Sequence, residues 1–474
     1  MSGFVGREQQ LRSLDGMIER VRAGIGSPDP GRCMLVRGRR RVGKSRLVET
    51  FTARADVPSL YFTASRQGRH ELALFAEEAA ASNLPGAALF SGVRLDTWDA
   101  ALRLLAQALP YDVPSIVVVD EFPYLIEETP SIEAVLQKQW DRLLSRKPLL
   151  LLLIGSDLTM MEALNTHGRA FFQRGREMVV PPLSPAETGV IVKATSAADA
   201  FDAYLVTGGL PLLCAEWPTG MSMWKYLEEA LAEPTSALIV SAERTLAAEL
   251  PTESLAREVL GKIGAGETTF SSIARASGGL HASSAKRSLD LLGLKRLVER
   301  ETPLSTKPSK EARYRVADSY LRFWLSFLGP YMSEIERDRS DRVLERVRRG
   351  WLSWRGKAVE PVIREALRRL LPLQGLEGAE VGGYWTRTNR PEIDLVGADH
   401  APVARRVTFT GSIKWRDNQC FDESDLNALA VATAEVPGGG ADTPLVAVSR
   451  SGVTARGAAV AFGPDELIQA WTRS

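Results

Sequence analysis

The stretch Gly38-Arg39-Arg40-Arg41-Val42-Gly43-Lys44-Ser45 sets two glycines, a lysine and a hydroxyl in the spacing G-x-x-x-x-G-K-[ST], which suits a chain of phosphates. The apolar run Cys33-Met34-Leu35-Val36-Arg37 precedes it, and an amphipathic helix start, Ser45 to Thr52, follows. Strand, loop and helix then aim backbone N–H groups and the positive end of the helix at one anion. Gly38 and Gly43 allow backbone angles and a close approach that a Cβ would block. Lys44 would reach the β- and γ-phosphates, and the Ser45 hydroxyl would ligate Mg²⁺. Arg39, Arg40, Arg41 and Val42 within the loop, and Arg46 just beyond it, complete the expected phosphate-binding set. The arginines here are read either as phosphate ligands or as a solvated surface.

Such a loop needs a carboxylate partner for the metal. Ser115-Ile116-Val117-Val118-Val119-Asp120-Glu121 supplies one: the unbroken apolar run predicts a strand buried on both faces of a parallel sheet. Its two acids fall at the C-terminal end, where open α/β sheets bind ligands. Asp120 would hold the Mg²⁺ shell and Glu121 would polarise the attacking water.

A chain of 474 residues predicts about three domains. A hydrophobic share of 45% with 25% charged residues is that of a soluble globular protein. No apolar run approaches the ~20 residues that span a bilayer, so no membrane partner is expected. Pro148 to Gly155 is short enough to be a strand. The N-terminus reads without a secretory signal, and Cys33, Cys214 and Cys420 are too far apart for metal-binding spacing, so a reducing cytoplasm is the expected compartment. Four scattered histidines exclude a histidine-based metal site or a histidine-centred triad. With a net charge of +1, nucleic-acid binding has to be read from local patches. One is the helix carrying Arg364, Arg368 and Arg369; Glu336 to Arg349 mixes signs and reads as a solvated helix.

Residues 1–235 alternate strands (33–37, 58–63, 115–120, 148–155, 177–181) with helices (7–23, 45–54, 71–82, 95–108, 131–145, 185–194), the pattern of a parallel sheet. Residues 236–317 change character. Helices at 255–263, 269–276 and 282–292 precede two short strands, 297–300 and 313–316, joined across a polar loop. That order is a winged helix-turn-helix, whose third helix enters a major groove. His281, Ser283, Ser284, Lys286 and Arg287 would then face double-stranded DNA; the alternative is a unit that only packs domains together. Residues 318–355 carry Tyr320, Phe323, Trp324 and Phe327 at helical spacing, read as a connector cementing domains rather than as a base-stacking platform. Residues 356–474 read as a helix, Val359 to Leu370, with strands at 379–386, 392–396, 407–415 and 444–449.

Together these residues resemble the archaeal-type predicted ATPases, within the STAND branch of AAA+-like P-loop proteins. The likeness runs through Phe4-Val5-Gly6-Arg7-Glu8 ahead of the loop, the loop itself and Val117 to Glu121. It continues in Leu152-Leu153-Ile154-Gly155-Ser156, in Arg174-Gly175-Arg176 and in Gly208-Gly209-Leu210-Pro211. The resemblance implies an α/β P-loop sheet with a helical lid, a winged helix and a C-terminal nuclease-like domain. It also implies ATP and Mg²⁺ as cofactors; an ATP-dependent homo-oligomer is one alternative for its partner. Arg7 would lie near the adenine, and Ser156 would sense the γ-phosphate. Arg174 or Arg176 would act on the phosphates, in cis or from a neighbour, and Pro211 would touch the base or ribose.

Nucleases resembling restriction endonucleases use a helix glutamate, an aspartate and then Glu-x-Lys on the next strand. Glu360 fits the first place, Asp394 the second and Lys414 the last, but Ser412 stands where the third acid belongs. A hydroxyl is a weak substitute, because Mg²⁺ favours charged oxygens. Glu392, two residues before Asp394, would share its strand face. Three functions follow: an ATP-hydrolysing switch coupled to DNA binding, an ATP-gated Mg²⁺-dependent nuclease, and a scaffold that oligomerises on ATP.

Overall fold

The computed structural model describes residues 5–65, 68–169, 172–250, 254–374, 376 and 380–472. Phe4 and Ala379 lie outside the described residues. The chain divides into two compact units, Met1–Pro182 and Leu183–Ser474. The finer division read from the sequence, at 235, 317 and 355, stays a proposal. Among the described residues no helix is long and apolar enough to cross a membrane.

In chain order the first unit contains α1 (Glu8–Ala23), β1 (Arg32–Arg37), α2 (Lys44–Ala55), β2 (Ser59–Thr63), α3 (Glu71–Ala81) and α4 (Trp98–Ala108). Then come β3 (Ser115–Asp120), α5 (Phe122–Glu128), α6 (Ile132–Arg142), β4 (Leu149–Gly155), α7 (Leu158–Leu164) and β5 (Gly175–Val179). The five strands form one parallel sheet in the order β2-β3-β4-β1-β5. Every residue of β4 is buried, as expected of a strand covered on both faces. Leu35, Phe62, Val117 and Leu151 pack beneath Phe75, Trp98 and Phe122 in one apolar cluster. Because all strands run the same way, everything that follows β1, β3 and β4 gathers at one edge of the sheet.

Several boundaries differ by one to three residues from the sequence expectation, and two of the shifts have a visible cause. The first helix after Ser91 begins at Trp98 rather than 95, because the Thr97 hydroxyl accepts from the Ala100 N–H and caps it. The last strand starts at Gly175 and stops at Val179. Pro181 and Pro182 have no N–H with which to continue the ladder beyond the bond from Val180 N–H to the Arg37 carbonyl, 2.7 Å.

The second unit opens with α8 (Pro185–Val192), α9 (Ala197–Thr207), α10 (Pro211–Glu216), α11 (Met223–Ala232) and α12 (Ala237–Glu249). Three helices follow, α13 (Leu255–Gly264), α14 (Phe270–Ala276) and α15 (Ala282–Leu294), with an antiparallel pair, β6 (Val298–Glu301) and β7 (Arg313–Val316). Next are α16 (Ser319–Phe327), α17 (Met332–Ile335) and α18 (Ser340–Leu370). The chain ends with β8 (Glu380–Trp385), β9 (Glu392–Ala398), β10 (Val407–Lys414), α19 (Glu423–Ala434), β11 (Leu445–Ser449), β12 (Val460–Phe462) and α20 (Pro464–Ile468). The last five strands form a mixed sheet in the order β12-β11-β10-β9-β8.

The segment between β6 and β7 is not the solvated polar loop its sequence suggests. Leu304 and Ser305 are 3% and 1% exposed. Leu304 joins the core of the C-terminal sheet with Ile393, Val396 and Val407. Its N–H donates to the Gly383 carbonyl at 2.9 Å, and the Thr306 N–H donates to that of Pro437 at 3.1 Å. A second difference is α18, which runs unbroken through 355/356. Val343, Val347, Trp351, Arg355, Val359 and Ile363 keep one buried stripe at helical spacing across that border, with Pro361 inside the helix. So 340–349 is half-buried helix rather than a solvated one. The aromatic spacing of α16 is buried too. Tyr320 is 2% exposed and donates its hydroxyl to the Leu238 carbonyl, 2.8 Å. Phe323 and Phe327 meet Trp354 at 5.7 and 5.5 Å between ring centres.

Candidate functional site

The loop after β1 folds over its own lysine. Lys44 begins α2 and is 6% exposed; its ammonium donates to the Gly38 and Arg39 carbonyls at 2.9 and 3.0 Å. Burial holds its pKa below the usual lysine value, against the opposing pull of Glu121 and Asp120. Gly38 is required on steric grounds, since a Cβ there would lie 2.4 Å from the Val180 carbonyl oxygen. Gly43 has φ 87° and offers α2 no side-chain cap, leaving the first-turn N–H groups open to an anion. Arg7, 4% exposed, donates from Nη2 to the Val42 carbonyl at 2.8 Å, so the segment ahead of β1 braces the loop's backbone. Arg40 donates to the Tyr124 hydroxyl at 2.8 Å, and Arg46 lies exposed beside Glu49.

The acids stand where the sheet order places them. Asp120 ends β3; its Oδ1 accepts from the Glu121 N–H at 2.9 Å and its Oδ2 from the Tyr61 hydroxyl at 2.7 Å. Glu121 takes φ 52° at the head of α5, a left-handed angle that turns its side chain toward the next strand end. There the Ser156 hydroxyl, just past β4, donates to its carboxylate at 2.9 Å. Lys44, Ser156 and Asp120 are each no more than 6% exposed, and the adjacent strand ends β1, β4 and β3 carry them in that order. The cradle fits a phosphate chain, and a hydroxyl with a carboxylate, Ser45 with Asp120, is a donor set that suits Mg²⁺.

The arginine segment sits apart from this edge. Arg174 forms a two-pronged pair with Asp141 of α6, both bonds 2.9 Å. Arg176 is exposed on the edge strand β5, in register with Met34, roughly 10 Å back from the strand end that carries the loop. Pro211 belongs to the second unit, at the first turn of α10.

In the second unit, α15 presents Ser283, Lys286 and Arg287 on an exposed face, with Ser284 half-buried and His281 capping the helix. The segment from β6 to β7 that would form the wing is held in the C-terminal sheet, and Arg313 pairs with Glu392 at 2.7 Å.

Of the residues expected to form a nuclease-like site, Asp394 and Ser412 are brought together and Arg364 lies between Glu360 and the Asp394 main chain. Asp394 on β9 accepts from the Ser412 hydroxyl at 3.0 Å and the Ile413 N–H at 2.8 Å. Arg364, 8% exposed, lies against it: Nη2 donates to the Asp394 carbonyl at 2.9 Å, and the same guanidinium reaches Glu360 at 3.4 Å and Glu301 of β6 at 3.1 Å. Burial pushes the Glu360 carboxyl up to about 7; Arg364 opposes that shift and Asp394 adds to it. Lys414 pairs instead with Asp425, at 3.4 Å. Among the described residues no group of three or more His, Cys, Asp or Glu side chains is placed to hold a metal ion. The sequence grouped Arg364 with Arg368 and Arg369 as a basic patch. The fold turns Arg364 inward and pairs the other two with Glu365, at 3.4 and 2.8 Å.

Residues 324–427 match a family described as archaeal and bacterial proteins of unknown function. An uncharacterized protein of Methanocaldococcus jannaschii, MJECL04, is 22% identical over 421 residues, covering 87% of this chain and 88% of that one. Among solved structures, a Walker-type ATPase of Pyrococcus abyssi, PABY2304, is similar with a TM-score of 0.48 and 18% identity, over 68% of this chain and 96% of that one. The ORC2 protein of Aeropyrum pernix, in its ADPNP–ADP complexes, is similar with a TM-score of 0.44 and 15% identity, over 73% and 96%.

The residues missed from sequence are Tyr61, Arg364 as an inward group, Glu301 and Asp425. Tyr61 meets Asp120 and Arg364 meets Glu301 across elements distant in the chain, whereas Asp425 meets Lys414 from the helix that follows β10. Arg7 was picked out, but for the adenine; its bond to the loop carbonyl was not foreseen.

Proposed function

We propose that the chain binds and hydrolyses ATP and that this switch is coupled to double-stranded DNA. The observation that carries it is the single sheet edge at which Lys44, under its glycine loop, stands beside Ser45, Asp120, Glu121 and Ser156. When bound, Mg²⁺-ATP supplies a strained phosphoanhydride and a cation that spreads its charge. Lys44 and the N–H groups of α2 would neutralise phosphate oxygens, Ser45 and Asp120 would hold the metal's shell, and Glu121 would polarise the attacking water. Ser156, bonded to Glu121, orients that carboxylate.

DNA contact falls to the exposed face of α15, with Ser283, Ser284, Lys286 and Arg287, because the neighbouring hairpin segment is committed to the C-terminal sheet. The C-terminal acids serve packing or binding rather than cleavage, since a guanidinium occupies the space between them and Lys414 is paired elsewhere.

The test is ATP turnover and nucleotide binding by the full chain, with and without duplex DNA, in wild type and Lys44→Ala. Loss of both in the variant and stimulation by DNA in the wild type are expected. ATPase activity intact in Lys44→Ala would overturn the reading. Plasmid cleavage with Mg²⁺ or Mn²⁺ that disappears in Asp394→Ala would restore the nuclease alternative.

A further inference from the structure

Tyr61 is the polar residue at the nucleotide edge to which neither the loop nor the acids assign a task. It lies on β2, in parallel register opposite Val118. Asp120 is two residues further along β3 than Val118, so both side chains leave the same face of the sheet. A phenol is long enough to span that diagonal, and it does: the Tyr61 hydroxyl donates to Asp120 Oδ2 at 2.7 Å. Burial and Asp120 raise the pKa of the same phenol, and Ser45 lies close enough to act the other way. One hydroxyl therefore bonds to one of the two side chains that would share a metal ion and lies near the other.

We infer that the Tyr61 phenol is a placeholder for the metal: with no nucleotide bound it closes the space between Ser45 and Asp120, and it must give way when an ion enters. This rests on reading Ser45 and Asp120 as the metal's protein partners.

The physical reasoning concerns what Asp120 can tolerate. Its carboxylate is 4% exposed, and a buried carboxylate without partners is costly. The Glu121 N–H satisfies one oxygen. Among the described residues the Tyr61 hydroxyl is the hydrogen-bond donor to the other, at 2.7 Å. An entering cation takes over that role, because it satisfies the carboxylate more strongly than a neutral donor. The phenol then loses its acceptor and turns aside. Tyr61 thus stabilises the empty site and sets the Mg²⁺ concentration at which the site fills. It is a positioning residue, and its effect falls on the metal more than on the nucleotide.

The experiment measures binding of fluorescent methylanthraniloyl-ADP to the full chain across a MgCl₂ titration, in wild type and Tyr61→Phe, with a parallel measurement in EDTA. The half-saturating Mg²⁺ should fall by about tenfold in the variant, the scale of one hydrogen bond to a charged acceptor. Affinity in EDTA should change little, and the melting temperature without nucleotide should drop. A merely structural tyrosine would shift melting and both affinities together and leave the Mg²⁺ midpoint in place, and that result overturns the inference. A midpoint that rises does so too, because it makes Tyr61 a supporter of the bound ion. Should Tyr61→Phe not fold, Tyr61→Met fills similar volume without a hydroxyl and is judged by the same midpoint. If wild type binds the nucleotide with no dependence on Mg²⁺, the parent assignment of Ser45 and Asp120 fails, and the placeholder with it.

Discussion

Replacing Arg364 by methionine removes the one guanidinium in the C-terminal cleft that touches Glu301, Glu360 and the Asp394 carbonyl together. Its side chain is 9% exposed, and those of its partners Glu301 and Glu360 are 26% and 29%. Deleting one member of such a buried charge group leaves the others uncompensated, a loss of about 3–5 kcal/mol. Glu301 keeps Arg315, so the lower half of that range is expected. With an unfolding entropy of about 2 cal/mol/K per residue, a cooperative unit the size of the second one loses roughly 1.6 °C per kcal/mol, so melting should fall by about 5–6 °C.

The deficit should depend on pH, with a defined sign. Glu360 titrates at about 7 in the folded protein, above its ordinary value of 4.5. A raised carboxyl pKa means that its contribution to stability is fully present below 4.5 and is lost as pH rises through 7. Arg364 opposes that rise, so without it the Glu360 carboxyl climbs further and its ionisation costs more. The gap between wild type and Arg364→Met should therefore be widest at pH 8 and shrink at pH 5. Thermal melting by circular dichroism of both proteins at the two pH values measures it. A gap under about 1 °C at pH 8, or one equal at both pH values, would show that the guanidinium is not what holds these acids together.

Gly38→Ala forces a Cβ onto the Val180 carbonyl and should cost about 1–3 kcal/mol and abolish nucleotide binding, measured by melting and by fluorescent-nucleotide titration. Gly16→Ala is its control: the added methyl meets nothing within 4 Å inside α1, and it should stabilise by about 0.5–1 kcal/mol with binding intact. Arg7→Ala removes the buried bond to the Val42 carbonyl and should weaken nucleotide binding by about tenfold, read in the same titration. If α15 meets DNA, Lys286→Ala with Arg287→Ala should lower the slope of log K against log salt by about 1.8 in a filter-binding or anisotropy series.

The phosphate loop and the strands β1, β3 and β4 were legible because each is written in a contiguous stretch: glycines at fixed spacing, or four to six apolar residues in a row. Strand order is not written that way. Tyr61 reads as an ordinary strand tyrosine until β2 is known to lie beside β3 in parallel register, and only then does it meet Asp120. Arg364 reads as one of three arginines on a polar helix face, because the glutamate that turns it inward comes from β6, 63 residues earlier. The border at 355/356 followed a change in composition, from aromatic to mixed, whereas the buried stripe of α18 runs straight through it. Lys414 fitted its motif by spacing alone, and the competing acid, Asp425, lies on the next helix.

The strap between β6 and β7 makes the second unit interleaved in time as well as in space. Leu304 and Thr306 are synthesised before any strand of the C-terminal sheet, yet their N–H groups bond to Gly383 and Pro437. On the ribosome the three-helix segment emerges with its hairpin lacking those partners, and the segment between β6 and β7 can seat only after the sheet has been made. A chain truncated at 317 would carry an apolar leucine with nowhere to go, and one begun at 318 would leave a hole in its own core. Hydrogen exchange at Leu304 should therefore keep pace with β8 and β9 rather than with α15, because the amide belongs to the sheet that captures it.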